Sequence, residues 1–334
     1  MIFKSKWYLA VTLSCLWIFP SSPIQAQISG YDVTFPSAYS LGLSSQGVVS
    51  SNSLSSIYGN TAFLTNQTKH ILDLSTNVSY ANSNFSPFYL SGAGYFSFSE
   101  SFGFGVRGKP VYLRSFPTDE RFSNYTFQAF ANWKLNPYIT FAIHLGPGVS
   151  GRIGGFSSYS WNVSASMAIQ YDNFRFGIIL ESPGTYRYDE YLGSERLKEK
   201  LPERALVGIG YKWNDWIDIQ LEGSRKFYEF TSVSLNQSNQ YIPYPVRTMY
   251  SGNLSLALGK IETFQILTGV GREIRMEKSL RGFYTASMGV AGSLFPSLFG
   301  EGYLYAVSVQ RAGLSVRERD GAETRFALQL QLQF

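Results

Sequence analysis

Cysteine is all but missing from this 334-residue chain: the single one, Cys15, lies inside the first apolar stretch. Everything after it lacks a thiol, which excludes disulfides and cysteine metal sites there. Histidine is scarce too. With only His70 and His144, neither a metal cage nor a Ser-His-acid catalytic set has much to be made from. The chain is therefore read as a non-enzyme that needs no cofactor and no metal. Charge is thin as well, Asp, Glu, Lys and Arg making up 15% of residues against about 25% in a typical soluble protein. Finally, no apolar run reaches the ~20 residues that a membrane-crossing helix needs. The nearest approach, from Trp7 to Phe19, follows Lys4 and Lys6 and precedes a Pro20-to-Ala26 stretch ending on a small residue. That order is the one of an export signal, so residues 1–26 are expected to be cleaved. Thr12-Leu13-Ser14 before Cys15 is a poor lipidation box, which makes a lipoprotein the weaker alternative.

What is present is aromatic and alternating. Phe, Trp and Tyr are 16% of the chain, and mean hydropathy is near zero. Loss of residues 1–26 removes two of 28 basic residues and leaves 26 against 23 acidic ones, too small a surplus to imply nucleic acid. From residue 69 the hydrophobic period is two. In the last segment Phe326, Leu328, Leu330, Leu332 and Phe334 alternate with Ala327, Gln329, Gln331 and Gln333. Trp161 to Tyr171 and Ile217 to Leu221 repeat the pattern, which places Asp218 and Glu222 on the face away from the greasy one.

Fourteen such segments can be counted, at roughly 69–81, 88–99, 102–114, 122–134, 138–149, 158–171 and 174–182, then 204–213, 216–228, 247–259, 263–273, 281–293, 300–311 and 323–334. An even number suits a single-chain outer-membrane barrel with both ends in the periplasm. Every second connection is short, around Glu100, Asn136, Asp172, Asn214, Lys260 and Pro296, whereas 183–203 and 229–246 are long. Short periplasmic turns alternating with longer outer loops are a barrel's habit, and a soluble β-sandwich has no reason for them. Trp133 with Tyr138, Trp213 with Trp216, and Phe295 with Phe299 flank three short turns, as an interfacial aromatic girdle would. The expected fold is all-β: a transmembrane antiparallel barrel of about fourteen strands at 69–334, preceded by a Ser-, Gly- and Asn-rich segment, 27–68, that plugs the lumen. Outer-membrane lipid is its solvent, the outer membrane its location and a monomer its expected state. The terminal Phe334, with Leu332 and Leu330 on one face, is read as the signal by which outer-membrane assembly machinery recognises the chain.

Inward parity gives the lumen Arg107, Lys109, Arg175, Lys212 and Arg325, with Asp73, Asp218 and Glu222 opposing them; His144 shares that parity. These cations either pair with the acids and bind the plug or form a cationic clamp for a carboxylate. In the third segment, Gly108-Lys109-Pro110 forbids regular pairing, because proline lacks a ladder donor; the outcome is a bulge or a gap. Gly146-Pro147-Gly148 reads as a bulge close to a loop. Ser194 to Leu201, with Leu197 and Leu201 spaced i,i+4, reads as a short helix in the fourth outer loop.

The motifs Ser37-Ala-Tyr-Ser-Leu-Gly-Leu-Ser-Ser-Gln-Gly47 and Ser55-Ser-Ile-Tyr-Gly-Asn-Thr-Ala62, ahead of a barrel of this strand number, resemble the FadL-type outer-membrane transporters of long-chain fatty acids and other hydrophobic molecules. The resemblance covers the mature chain in layout and some 25 residues in motif. Asn60-Thr61-Ala62 stands where that family has Asn-Pro-Ala in an N-terminal hatch, Thr61 replacing the proline. It implies that Ile57, Tyr58, Asn60, Ala62 and Phe63 are hatch or ligand residues, and that Gly108 and Pro110 mark a lateral opening in the third strand. It also implies a hydrophobic small-molecule ligand. Some FadL-like barrels serve secretion machinery or surface binding without moving a ligand, so that alternative stays open, with an ungated porin third.

Overall fold

The computed structural model describes residues 37–81, 88–114, 121–152, 157–181, 186–190, 196–200, 203–227, 233–234, 248–275, 283–294, 302–312 and 323–334. The expected export signal and residues 27–36 of the expected plug lie outside these. Fourteen antiparallel strands form the closed wall: β1 (Ile71–Ala81), β2 (Phe88–Ser99), β3 (Phe102–Arg114), β4 (Arg121–Lys134), β5 (Ile139–Arg152), β6 (Ser157–Tyr171), β7 (Phe174–Glu181), β10 (Glu203–Asn214), β11 (Ile217–Phe227), β13 (Thr248–Lys260), β14 (Phe264–Arg275), β15 (Phe283–Ser293), β16 (Tyr303–Ala312) and β17 (Glu323–Gln333). Three short strands, β8 (Tyr186–Glu190), β9 (Arg196–Lys200) and β12 (Val233–Ser234), extend the sheet within two long connections. Closure comes from β1 against β17, with Ile71 opposite Gln333 and Ala81 opposite Glu323. Closure leaves the wall without an edge strand, whose row of unpaired backbone groups would find no water in lipid.

The wall is inside out relative to a soluble protein. On β17 the amide of Gln329 is fully buried in the interior while Leu330 beside it is 45% exposed on the outside. The same holds on β1, where Asp73, Ser75 and Asn77 are buried and Leu72, Leu74 and Val78 face out. An apolar outer face over a polar inner one belongs to a barrel set in lipid.

Two short turns owe their form to asparagine. Asn136 Oδ1 accepts from the amides of Tyr138 and Ile139, both at 2.9 Å. Asn214 Oδ1 does the same for Trp216 and Ile217, at 2.8 and 3.0 Å. Each side chain mimics a backbone turn and starts the next strand. Aromatic rings crowd this end: Tyr138 against Tyr171 at 5.3 Å, Phe174 against Tyr211 at 4.6 Å, and exposed Trp213 and Trp216. Phe295 and Phe299 lie outside the described residues. Phe334 is tied in at the same end, its amide and carbonyl bonding the backbone of His70 and its ring lying 5.5 Å from the His70 imidazole. Deleting Phe334 removes both bonds at the closing seam, so the heat-modifiable, folded fraction on a gel is expected to fall. An unchanged fraction would remove Phe334 from assembly.

The expected helix at Ser194 to Leu201 is not formed. Its described part, Arg196–Lys200, is strand β9, paired with β8 on one side and β12 on the other. A helix this short is marginal alone, and the hairpin pairs all five of these residues with Tyr186–Glu190.

Candidate functional site

Residues 37–66 lie within the barrel, touching inward faces on both sides of it. Helix α1 (Ala38–Gly42) is capped by Ser37, whose hydroxyl accepts from the Ser40 amide; α2 (Ser53–Ser56) is capped by Asn52. A 3₁₀ turn, Thr61–Asn66, is capped by Asn60. These one-turn pieces are too short to be stable by themselves and take their stability from the wall. Tyr39, Leu41, Leu43 and Leu54 pack on Leu267 and on Ala257, Ala291, Ala306 and Ala327, whose small side chains leave room for them. At Gly269 a Cβ would collide with the Leu43 carbonyl, so only glycine admits the inner backbone there.

Polar contacts ring the segment. The carboxylate of Glu222, buried on β11, accepts from the backbone amides of Gln46 (2.6 Å), Val48 (2.7 Å) and Val49 (3.2 Å) and from the Ser45 hydroxyl (3.0 Å). The chain can turn all four donors onto one side chain because Gly47 takes a left-handed conformation, φ +72°. Arg107 performs the converse: its Nη1 donates to the carbonyls of Tyr58 (2.8 Å) and Gly59 (3.3 Å), and its Nε to Gln128. Arg175 donates to Ser51 Oγ at 2.8 Å and forms an ion pair with Asp218. Gln329 and Gln331 donate to Asp73 Oδ2, each at 2.8 Å, and Gln329 also donates to the Leu54 carbonyl. Burial pushes the phenols of Tyr39 and Tyr58 well above their ordinary range, and the Asp73 carboxylate raises Tyr58 further.

The five residues that the resemblance assigns to a hatch or ligand site all lie against the wall. Asn60 is fully buried and its Nδ2 donates to the carbonyls of Val48 and Met167, both at 2.9 Å, joining the inner segment to itself and to β6. Ile57 and Tyr58 pack with Leu64 on Ile71, Ala93, Tyr95 and Phe130; Ala62 and Phe63 pack elsewhere, on Ala142 and Ala168. The five residues are thus brought against the wall in two clusters rather than around one pocket. Thr61 explains the departure from proline: its hydroxyl meets His144 Nε2 at 2.7 Å, and its carbonyl accepts from Asn132 at 3.0 Å. Proline would keep the backbone and lose the hydroxyl.

Of the five inward cations, Arg107 and Arg175 hold the inner segment and Arg325 donates to Gln310 at 3.2 Å. The side chain of Lys109 lies outside the described residues. Lys212 is a correction. It follows inward parity, but it stands at the barrel's mouth, half exposed, 3.4 Å from Asp215 in the turn. Lys260 and then Lys212 hold that exposed carboxyl below its usual range. Reading the sequence placed Glu222 inward as a counter-charge, and missed that its partners are backbone amides.

Apart from a register shift between Ser97 and Ser99 beside the short turn, the ladder between β2 and β3 is interrupted at one place. Tyr89 pairs with Val111 and Gly92 with Gly108, but the intervening pairs, Leu90 with Pro110 and Ser91 with Lys109, are absent. On the other side β3 pairs with β4 without a break, Gly108 opposite Phe127 and Pro110 opposite Tyr125. The register is the same above and below, so no extra residue is inserted and this is not a bulge. Gly146-Pro147-Gly148 is corrected likewise: it lies inside β5, and the β4–β5 ladder omits the pairs at Phe127 and Gln128 with no register shift. Both interruptions follow from proline's missing N–H.

No family model matches the chain, and no curated protein does. Solved structures do. A Pseudomonas aeruginosa FadL homologue superposes with TM-score 0.68 at 12% identity, covering 91% of this chain and 99% of that one. The CymD monoaromatic hydrocarbon channel gives 0.65 at 11% identity, and the Pseudomonas putida toluene transporter TodX 0.65 at 8%, each covering 91% of this chain and 98% of its own. At such identity the likeness is one of architecture: this chain has the closed fourteen-strand fold that the FadL homologue and the monoaromatic channels share.

Proposed function

We propose that this protein is an outer-membrane channel for hydrophobic small molecules, long-chain fatty acids among them, plugged from within by residues 27–68 and opening sideways at Gly108 to Pro110. One observation carries the reading: a segment bonded around the inner wall faces a wall whose ladder is broken beside it. An apolar molecule crossing a polar lumen into water keeps its surface wet, at ~25 cal/mol per Å², and a side exit into lipid avoids that. That monoaromatic channels and a toluene transporter have this fold supports the cargo class. Cells carrying the protein are expected to take up a labelled long-chain fatty acid, or labelled toluene, faster than cells with empty vector. Vector-level uptake of both would favour a barrel that partners secretion machinery or binds at the surface.

The same reading sets the orientation. The short turns face the periplasm and both termini lie there. Single cysteines at Gly193, Ser238 and Gly321 are expected to react with an impermeant thiol reagent on intact cells, and one at Asn214 is not. Labelling at Asn214 alone would invert the barrel.

A further inference from the structure

On three strands that rise from short turns, an outward-facing arginine recurs at one height. Arg225, Arg272 and Arg311 each lie eight residues beyond the first residue of their strands, Ile217, Phe264 and Tyr303. Each faces a defined partner directly across the ladder. Arg225 lies over the Tyr250 ring at 5.4 Å and Arg272 over the Tyr284 ring at 5.1 Å, while Arg311 donates to the Thr324 hydroxyl at 2.6 Å. Nearer the short turns the same outer face is apolar, with Leu221, Leu254, Val270, Val307 and Leu328 exposed.

Eight residues span about 26 Å of strand, which a 35–45° tilt converts to roughly 20 Å of height. The arginines therefore stand close to the far edge of an apolar band about 25 Å tall, Ile274 still facing out beyond Arg272. A charge at mid-bilayer is strongly unfavourable and one at the headgroup boundary is nearly neutral, so their common height is where cations are tolerated. Stacking on a tyrosine ring holds a guanidinium through its face, and the guanidinium's fork of N–H donors matches a phosphate by two parallel N–H···O bonds. The described carboxylate on the same outer patch is Glu203 of β10, diagonal to Arg225, so three cations meet one anion.

We infer that Arg225, Arg272 and Arg311, with Tyr250 and Tyr284, form a site on the outer face of β11 to β16 for the phosphates of outer-leaflet saccharolipid of the lipid A type. The assignment rests on the orientation given above, in which this end faces the cell exterior. It is independent of transport.

The test uses the full barrel purified in detergent, titrated with lipid A bearing two phosphates, lipid A bearing none, and phosphatidylglycerol, bound lipid being counted by mass spectrometry of the intact complex. Diphosphorylated lipid A is expected to bind at least tenfold more tightly than either of the others. A barrel changed at Arg225→Gln, Arg272→Gln and Arg311→Gln is expected to lose that preference while remaining heat-modifiable. Equal binding of the three lipids by the unchanged barrel would overturn the site, and that arm stands even if the triple variant does not fold. A folded triple variant that keeps the preference would overturn it as well. Reversed sidedness in the cysteine labelling would place the arc in the periplasmic leaflet, away from lipid A, and would overturn the assignment too.

Discussion

Replacing Glu222 by alanine is expected to turn a nearly closed barrel into a flickering one. The wild-type carboxylate accepts from three backbone amides and one hydroxyl of the inner segment, all from Ser45 to Val49. Alanine leaves those donors buried without an acceptor. Taking about 1 kcal/mol for each amide, the low end for a buried donor left without an acceptor, the loss is about 3 kcal/mol. That corresponds to roughly a hundredfold rise in the detached population. Single-channel recording in planar bilayers reads it as openings about a hundredfold more frequent than in the wild type. The wall itself should survive, because the backbone of Glu222 keeps its partners Gly208 and Asn253. Glu222→Gln retains one carbonyl oxygen and is expected to fall between the two. Deleting residues 27–68 sets the upper limit, a steady conducting pore. Recordings of Glu222→Ala indistinguishable from wild type would mean that this carboxylate does not hold the segment. Equal conductance with and without the segment would mean that it does not block the lumen.

The contrast between Glu222 and Gln329 separates what the sequence reveals from what it hides. That both point inward follows from a two-residue period against their leucine neighbours, and every wall strand was readable by the same rule to within a few residues. Turn positions were readable because Asn136 and Asn214 act on amides two and three residues away. What an inward side chain touches depends on residues far along the chain. Ser44 bonds Ser287 at 2.8 Å and Tyr39 bonds Gln265 at 2.7 Å, pairings that no local pattern encodes. Residues 37–66 have no hydrophobic period, because their apolar side chains enter separate alanine-lined hollows instead of one face. The β8–β9 hairpin was missed for a related reason. Leu197 and Leu201 fit a helical spacing, but the backbone partners of Arg196–Lys200 lie in Tyr186–Glu190 and at Val233–Ser234. Proline's effect was readable at both Pro110 and Pro147, and its form was not: whether a ladder bulges or skips depends on the opposing strand.

Restoring a donor at position 110 is expected to close the wall and abolish uptake. Across β2 and β3 two consecutive pairs are absent, Leu90 with Pro110 and Ser91 with Lys109, while the register on either side would permit both. Pro110→Val supplies the missing N–H and a side chain that favours extended backbone. Gly108 is better left alone: a Cβ there would come within 3.1 Å of the Phe127 ring, and the resulting shift of β4 would confuse the outcome. Pairing β3 with β4 is continuous through this stretch, so the variant has a template on one side and should fold with normal heat-modifiability. If hydrophobic cargo leaves between β2 and β3, uptake of a labelled long-chain fatty acid or of labelled toluene falls to the empty-vector level. The companion Pro147→Val restores the ladder between β4 and β5 instead and is expected to leave uptake unchanged, because only the first interruption coincides with the third strand, where the resembled family opens. Full uptake by a folded Pro110→Val barrel would sink the lateral route, and loss of uptake in Pro147→Val alone would move the exit to the β4–β5 seam.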